Sequence, residues 1–270
     1  MTWDGRTRPR SHAGGAPWAA RLAPGRCSGP GQGGCLGVRG FAMPAKAAHK
    51  VIVADDHPLF REALGLALDK ALGGVRLVEA STMAELEQVS REHEDADLTM
   101  LDLHMPGVHG FSALVYLRAH HPGLPVCVIS ANDHPLVIQR ALDHGAAAFI
   151  HKSAPVSEIR EALYAVLAGD IWQPSSLGSL EVGAPTDELE VAERIGELTP
   201  QQFRVLMMVT EGLLNKQIAF ELEISEATVK AHMTAIFRKL NVNNRTQAVL
   251  VAQRLAVDAP ESGARDFAGQ

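Results

Sequence analysis

The chain has 270 residues, 46% of them hydrophobic, and a formal net charge of −6, which is material for two ordinary soluble domains. No apolar run approaches the roughly 18 residues needed to cross a bilayer, which excludes a transmembrane helix and predicts no membrane partner. Cys27, Cys35 and Cys127 offer neither a disulfide framework nor zinc-ligand spacing, which points to a reducing, cytoplasmic compartment.

The charge is divided along the chain. Residues 1–42 hold six Arg, one acid and ten Gly, and such a segment buries too little to offset its ordering entropy. Residues 1–48 are therefore expected to be a disordered extension, with a start at Met43 as an equal alternative. Residues 49–170 hold nine Lys/Arg against 17 Asp/Glu, whereas 196–257 hold seven against five. An acidic module followed by a mildly basic one predicts different partners for each.

From residue 50 short apolar runs alternate with amphipathic helical patterns. Strands are predicted at 51–54, 75–80, 98–101, 126–129 and 147–150, and helices at 58–72, 83–92, 110–120, 135–144 and 156–168. Strands that are apolar throughout imply a parallel sheet covered on both faces. Five such units fit an open, doubly wound α/β domain at 49–170 rather than a barrel, which needs eight. Residues 171–196 read as a linker with one short helix near 187–195. From there the pattern is helical only, at 200–211, 215–222, 226–240 and 244–255, giving a small all-α domain at 197–257 and a frayed tail at 258–270.

Ligands of an open parallel sheet bind at the carboxyl ends of its strands. Polar residues stand at several of those ends: Asp55-Asp56 after the first strand, Asp102 after the third, Ser130-Ala131 after the fourth and Lys152 after the fifth. Taken singly, each is an ordinary turn or surface residue. Together they suggest a site. Clustered carboxylates repel one another unless a cation intervenes, and oxygen ligands suit a hard ion such as Mg2+. Lys152 and Ser130 add an ammonium and a hydroxyl, the equipment of phosphoryl transfer, and Asp102 is the carboxylate left to attack.

Asp55-Asp56, "LTMLDLHMPG" (98–107), Ser130-Ala131 and "FIHKSAP" (149–155) resemble the receiver domain of two-component response regulators. The resemblance implies that Asp102 is the phosphoacceptor. Asp55, Asp56, Asp102 and the His104 backbone carbonyl would hold Mg2+, Ser130, Ala131 and Lys152 would line the phosphoryl group, and Phe149 would be the switching aromatic. His104 stands where the family often has Asn, so its side chain bears on phosphate lifetime. His104 and His109 lack the companions that a zinc site needs.

In the C-terminal module, Thr199 with Gln202 forms a capping box and Pro200 suits the first helical position. Ser225 caps 226–240, whose Val229, Ile236 and Leu240, with Met233 nearby, make an inward stripe. Two helices joined by three or four residues form a helix-turn-helix. "LTPQQFRVL", "EGLLNKQIA" and "ISEATVKAHMTAIFRKL" resemble the LuxR-type module. By that resemblance 226–240 is the recognition helix, with Lys230, Ala231 and Thr234 toward bases. Lys216, Thr228 and Lys239 would contact phosphates, and Arg238 lies on the same outward face.

The two modules in this order resemble the NarL/FixJ class. The resemblance implies a sensor histidine kinase, promoter DNA and a homodimer formed on phosphorylation, with RNA polymerase as a further partner. It implies a transcription regulator that catalyses only its own phosphorylation and dephosphorylation, not an enzyme. The rivals are a regulator whose receiver is never phosphorylated and an aspartyl-phosphate phosphatase. The intact carboxylates, Ser130 and Lys152 argue against the first, and the lack of a further acid or base close after Asp102 against the second.

Overall fold

The structure, a computed structural model, describes residues 48–174 and 186–257. The expectations for the N-terminal extension up to residue 47, for the tail 258–270 and for Cys27 and Cys35 lie outside the described residues.

Strands β1 (His49–Ala54), β2 (Val75–Ala80), β3 (Leu98–Asp102), β4 (Val126–Ser130) and β5 (Ala148–His151) form one parallel sheet. Its order is β2-β1-β3-β4-β5, so strand order reverses between β1 and β3. The intervening helices are α1 (Pro58–Leu72), α2 (Met83–Glu92), α3 (Ser112–His120), α4 (Pro135–Asp143) and α5 (Val156–Leu167). Alternate strand residues feed two cores, as the period of two requires. Val51, Val53, Met100, Cys127 and Ile150 pack with Leu64, Leu68, Ile159 and Leu163 of α1 and α5. Ile52, Leu101, Val128 and Phe149 pack on the opposite face with Leu86, Leu114 and Val137 of α2, α3 and α4. Burial lifts the pKa of the Cys127 thiol to about 12, so Cys127 acts as a small hydrophobe.

Helix α3 starts two residues later than its sequence pattern predicts. Gly110 adopts φ +58°, and the Ser112 hydroxyl accepts a hydrogen bond from His109 N at 2.9 Å, so a turn occupies 109–111. Ser112 to Leu117 are all buried. A helix buried around its whole circumference must be covered on its outer side as well.

The cover comes from the C-terminal half, made of α6 (Thr186–Gly196), α7 (Pro200–Thr210), α8 (Asn215–Glu221), α9 (Glu226–Leu240) and α10 (Arg245–Gln253). Of the segment read as a linker, 175–185 lie outside the described residues and 186–196 form α6. Its Glu188, Val191, Ala192 and Ile195 are buried at the 3.6-residue spacing of one helix face, and α6 packs on α3. Helix α7 begins with the expected box: Thr199 Oγ1 accepts from Gln202 N at 3.3 Å, and Gln202 Oε1 accepts from Thr199 N at 3.2 Å. Phe203 meets Tyr116 of α3 with ring centroids 5.0 Å apart. The apolar core thus runs without a break from the sheet through α3 into the helical half. No helix among the described residues is long and apolar enough to cross a membrane.

Candidate functional site

Strand order reverses between β1 and β3, and the carboxyl ends at such a point are where open parallel sheets bind ligands. Asp55 and Asp56 follow β1, and Asp102 ends β3. Lys152, one residue past β5, reaches across to join them. Its ammonium donates to Asp55 Oδ2 at 2.7 Å and to Asp102 Oδ2 at 2.8 Å. Phe60 of α1 lies under the same ammonium, 4.7 Å from ring centroid to Nζ, which adds a cation–π attraction. Burial pushes the Asp102 carboxyl above the usual carboxylate range, and the bonds from Lys152 oppose that rise. Burial also acts to lower Lys152, but its two carboxylate partners outweigh this and its pKa ends above the ordinary Lys value. Asp102 Oδ1 and Asp56 Oδ1 are buried without a hydrogen-bond partner. Orphaned carboxylate oxygens at one point are the donor set of a hard divalent cation.

Ser130 is fully buried at the end of β4. Its Oγ accepts from Asn132 N at 3.1 Å, and its carbonyl accepts from Lys152 N at 2.8 Å, so β4 and β5 are tied together beside the carboxylates. Ala131 is exposed in the loop above, its carbonyl 3.1 Å from His151 Nε2. Phe149 is fully buried in the core under α3 and α4. The His104 side chain is exposed, with Nδ1 4.0 Å from Asp102 Oδ1. His109 is not part of this cluster: its Nε2 faces Glu211 of the helical half at 4.0 Å.

Sequence reasoning missed His57, whose Nδ1 stands 2.7 Å from Asp56 Oδ1 and 3.3 Å from Asp55 Oδ1. The signal was its place directly after the two aspartates. Phe60 was missed too; its approach to Lys152 comes from packing alone.

In the helical half, α8 and α9 are joined by a tight turn in which Glu223 takes φ +53°. Ser225 Oγ accepts from Thr228 N at 3.0 Å and lies 2.8 Å from Thr228 Oγ1, so the Thr228 hydroxyl is part of the cap. Val229, Met233, Ile236 and Leu240 of α9 are buried. Thr228, Lys230, Ala231, Thr234 and Arg238 are exposed on its outer side, as is Lys216 on α8. Lys230 pairs with Glu226 one turn earlier at 3.1 Å, and Thr234 Oγ1 donates to Lys230 O at 3.0 Å. Lys239 departs from the expected set. Its ammonium donates to Glu197 O at 2.7 Å and Gln202 Oε1 at 2.9 Å, so it holds the start of α7 instead of facing outward.

Two family models match these two halves. The response regulator receiver domain matches residues 51–164, and the luxR family of bacterial regulatory proteins matches 196–252. The glycerol metabolism activator of Pseudomonas putida is 39% identical over 76% of this chain and 95% of its own length. The probable transcriptional regulatory protein NarL of Mycobacterium tuberculosis is 34% identical over 79% and 98%. The nitrate/nitrite response regulator protein NarL of Escherichia coli K12 is 30% identical over 74% and 93%. The chain belongs to the NarL/FixJ class of response regulators. This is a family of transcriptional regulators with a LuxR-type helix-turn-helix, not of classical enzymes.

In this response regulator the receiver and the LuxR-type module are clamped together by polar contacts that sequence reasoning did not find. Arg204 of α7 pairs with Glu87 of α2. Arg140 of α4 donates to Glu188 Oε1 at 2.9 Å and to the carbonyls of Arg254 and Ala256 at 3.1 and 2.9 Å. His144 Nε2 lies 2.7 Å from the same Glu188 oxygen, and Phe111 N donates to Leu255 O at 2.8 Å. Helix α9 itself is not covered by the receiver: its outward residues remain exposed.

Proposed function

We propose that this protein is a phosphorylation-controlled transcription factor, with a receiver at 49–170, a connecting segment at 171–196 and a DNA-binding module at 197–257. The observation that carries the reading is the Lys152 ammonium bound to both Asp55 and Asp102 while Asp102 Oδ1 stays unpaired. The Asp102 carboxylate attacks the phosphorus of a phosphohistidine on a sensor kinase. A P–O bond forms, the P–N bond breaks, and the electron pair leaves with the imidazole, which takes up a proton. Asp55, Asp56, Asp102 and the His104 carbonyl would hold Mg2+, which when bound offsets charge on the phosphoryl oxygens. Lys152 offers a further positive charge, Ser130 a hydroxyl, and exposed Ala131 leaves room beside it.

Two ties lead from this centre to the module. Phe149 sits in the core under α4, and the loop after Ser130 runs directly into α4, which carries Arg140 and is capped at its end by His144. A rearrangement of Ser130 and Phe149 around the phosphoryl group displaces α4 and loosens its hold on Glu188 and on the carbonyls of 254 and 256. The clamped state fixes the orientation of the module while its recognition helix stays open, so phosphorylation acts by freeing two modules to pair on two half-sites. Pairing raises affinity through effective concentration. Lys216, Thr228, Lys230, Ala231, Thr234 and Arg238 form the DNA face. RNA polymerase is a further partner once the dimer is on a promoter, and under this reading the protein works where promoter DNA is, in the cytoplasm.

The test is the intact mass of the full chain after incubation with Mg2+ and acetyl phosphate. The expected result is a gain of one phosphoryl mass, absent in Asp102→Asn, with tighter promoter binding and dimerisation only where the mass is gained. Equal gain in both chains, or a gain with unchanged DNA binding, would overturn the reading. Continuous turnover of a small phosphoester would instead favour an aspartyl-phosphate phosphatase.

A further inference from the structure

His151 ends β5 and is the register partner of Ser130 at the end of β4. Register partners point to the same face of a sheet, as do residues two apart on one strand. His151, Ser130 and Phe149 therefore share one face. Both ring nitrogens of His151 are engaged. Ser153 N lies 3.2 Å from Nδ1, and an amide N–H only donates, so Nδ1 is an acceptor and takes the Ser153 hydroxyl as well, at 2.6 Å. Ala131 O lies 3.1 Å from Nε2, and a carbonyl only accepts, so Nε2 carries the proton. The ring is held as its Nε2–H tautomer between the loop after β4 and the loop after β5. Ala131 O belongs to the peptide unit whose other end, Asn132 N, donates to Ser130 Oγ at 3.1 Å. One rigid plane thus has its carbonyl fixed by His151 and its N–H fixed by Ser130. While His151 holds the carbonyl, the N–H cannot follow the hydroxyl. A Ser130 hydroxyl that swings toward a phosphoryl group either loses Asn132 N or pulls the Ala131 carbonyl off His151. The same loop is tied onward to α4: Asn132 Oδ1 accepts from His134 N at 3.0 Å, and His134 Nδ1 accepts from Leu136 N at 3.3 Å in the first turn of the helix.

We infer that His151 is a positioning residue of the switch: through the Ala131–Asn132 peptide it acts as a catch that holds Ser130 and the start of α4 in the unphosphorylated arrangement. The inference rests on the reading of the centre as a phosphorylation site. A bond made in one arrangement and given up in the other biases the equilibrium between them by its own worth, and one neutral hydrogen bond is worth about two- to tenfold. His151 therefore lowers the share of unlabelled protein in which α4 has let go of the module. It widens the contrast between the labelled and unlabelled states by the same factor.

The experiment compares the full chain with His151→Leu, which has no ring nitrogen, and His151→Gln, whose amide N–H stands near the depth of Nε2. Long-range proton–nitrogen spectra of wild type are expected to show His151 as the Nε2–H tautomer. Hydrogen exchange at the Asn132 amide should be about two- to tenfold faster in His151→Leu and close to wild type in His151→Gln. Promoter binding before labelling should be tighter by about the same two- to tenfold in His151→Leu. Its gain on labelling with Mg2+ and acetyl phosphate should be smaller by that factor, and His151→Gln should restore both. A side chain that only filled space would give no such rescue. An Nδ1–H tautomer, Asn132 exchange unchanged in His151→Leu, or identical behaviour of the leucine and glutamine variants would overturn the proposal. So would promoter binding that is the same before labelling in all three chains. No labelling of wild type would instead overturn the phosphorylation reading, and the tautomer and the Asn132 exchange would still decide whether His151 holds the loop.

Discussion

Arg204 of the DNA-binding module pairs with Glu87, a receiver carboxylate that is completely buried where α2 meets α7. Burial raises the pKa of Glu87, and Arg204 is the largest opposing influence. Glu87 Oε1 has no hydrogen-bond partner at all, so the carboxylate depends on Arg204. Removing one partner of a buried pair costs about 3–5 kcal/mol, unless the remaining charge can return to water. Here it can, if the module swings away. Arg204→Ala is therefore expected to open the clamp, not to unfold either half. A larger radius of gyration and DNA binding without phosphorylation, with receiver melting essentially unchanged, are the expected results. An unchanged radius of gyration would refute this account of the clamp.

Glu188 gives the clamp a pH dependence. Burial alone would raise its pKa, but the bonds from His144 and Arg140 outweigh burial and lower it below the ordinary 4.5. A carboxylate depressed in the docked state stabilises docking fully above its undocked value, and this is lost as pH falls through the docked value. Glu87 acts in the opposite sense: its raised pKa contributes most below 4.5 and loses that contribution as pH rises through the docked value. Comparing wild type with Glu188→Gln separates the two. Protection of the clamp against proteolysis, followed from about pH 6 to about pH 3.5, should fall with acid in wild type. Glu188→Gln should start lower and lack the part of the fall that Glu188 causes. Parallel curves would show that Glu188 does not tie α6 to α4.

The sheet, its helices and the gathering of Asp55, Asp56, Asp102, Ser130 and Lys152 at one edge were legible because they follow from local periodicity and from the rule that successive strands run parallel. Lys152 is 50 residues from Asp102, yet β5 and β3 point the same way, so both ends fall together. The clamp was not legible in that manner. Glu87, Arg140, Glu188 and Arg204 each look like surface charges on amphipathic helices, and their pairing depends on how two domains meet. One trace was present: Ala113-Leu-Val-Tyr-Leu117 is apolar on every side of α3, which only a second layer satisfies. The spacing of Glu188, Val191, Ala192 and Ile195 was another. Lys239 is expected at DNA only from the resemblance to the LuxR-type module; its partners, Glu197 and Gln202, lie 42 and 37 residues earlier, beyond the reach of a local pattern.

Gly110 sits directly against the backbone that follows α10. It takes φ +58°, and a Cβ there would stand 2.1 Å from Leu255 O and 2.7 Å from Ala256 Cα and Val257 N. All three are backbone atoms that cannot rotate aside. The left-handed conformation adds about 1–2 kcal/mol for a residue with a side chain. Gly110→Ala is expected to push 255–257 off the receiver, break the bond from Phe111 N to Leu255 O, and remove two carbonyl acceptors from Arg140. Faster hydrogen exchange at the Phe111 amide, with the amides of β1 and β3 still protected, would report this. Retained protection at Phe111 would mean that the turn at 109–111 can absorb the methyl group.

The proposed DNA face separates into residues with exposed side chains and one, Lys239, that is held by partners within the module. Lys230 is exposed, and its partner Glu226, also exposed, lies one turn away at 3.1 Å. Such a pair is weak and easily exchanged for a phosphate or a base edge. Lys230→Ala is expected to weaken promoter binding. If Lys230 meets a phosphate, the salt dependence of log K should become shallower by about one counterion, while a base contact would relax sequence preference at about 1–3 kcal/mol with little change in slope. Lys239→Ala should behave differently, because its ammonium joins α9 to the carbonyl of Glu197 and the side chain of Gln202. Its loss should lower the melting temperature of the module and leave the salt slope unchanged. A slope that fell with Lys239→Ala would mean that Lys239 leaves α7 when DNA arrives, and that the start of α7 is remade in the complex.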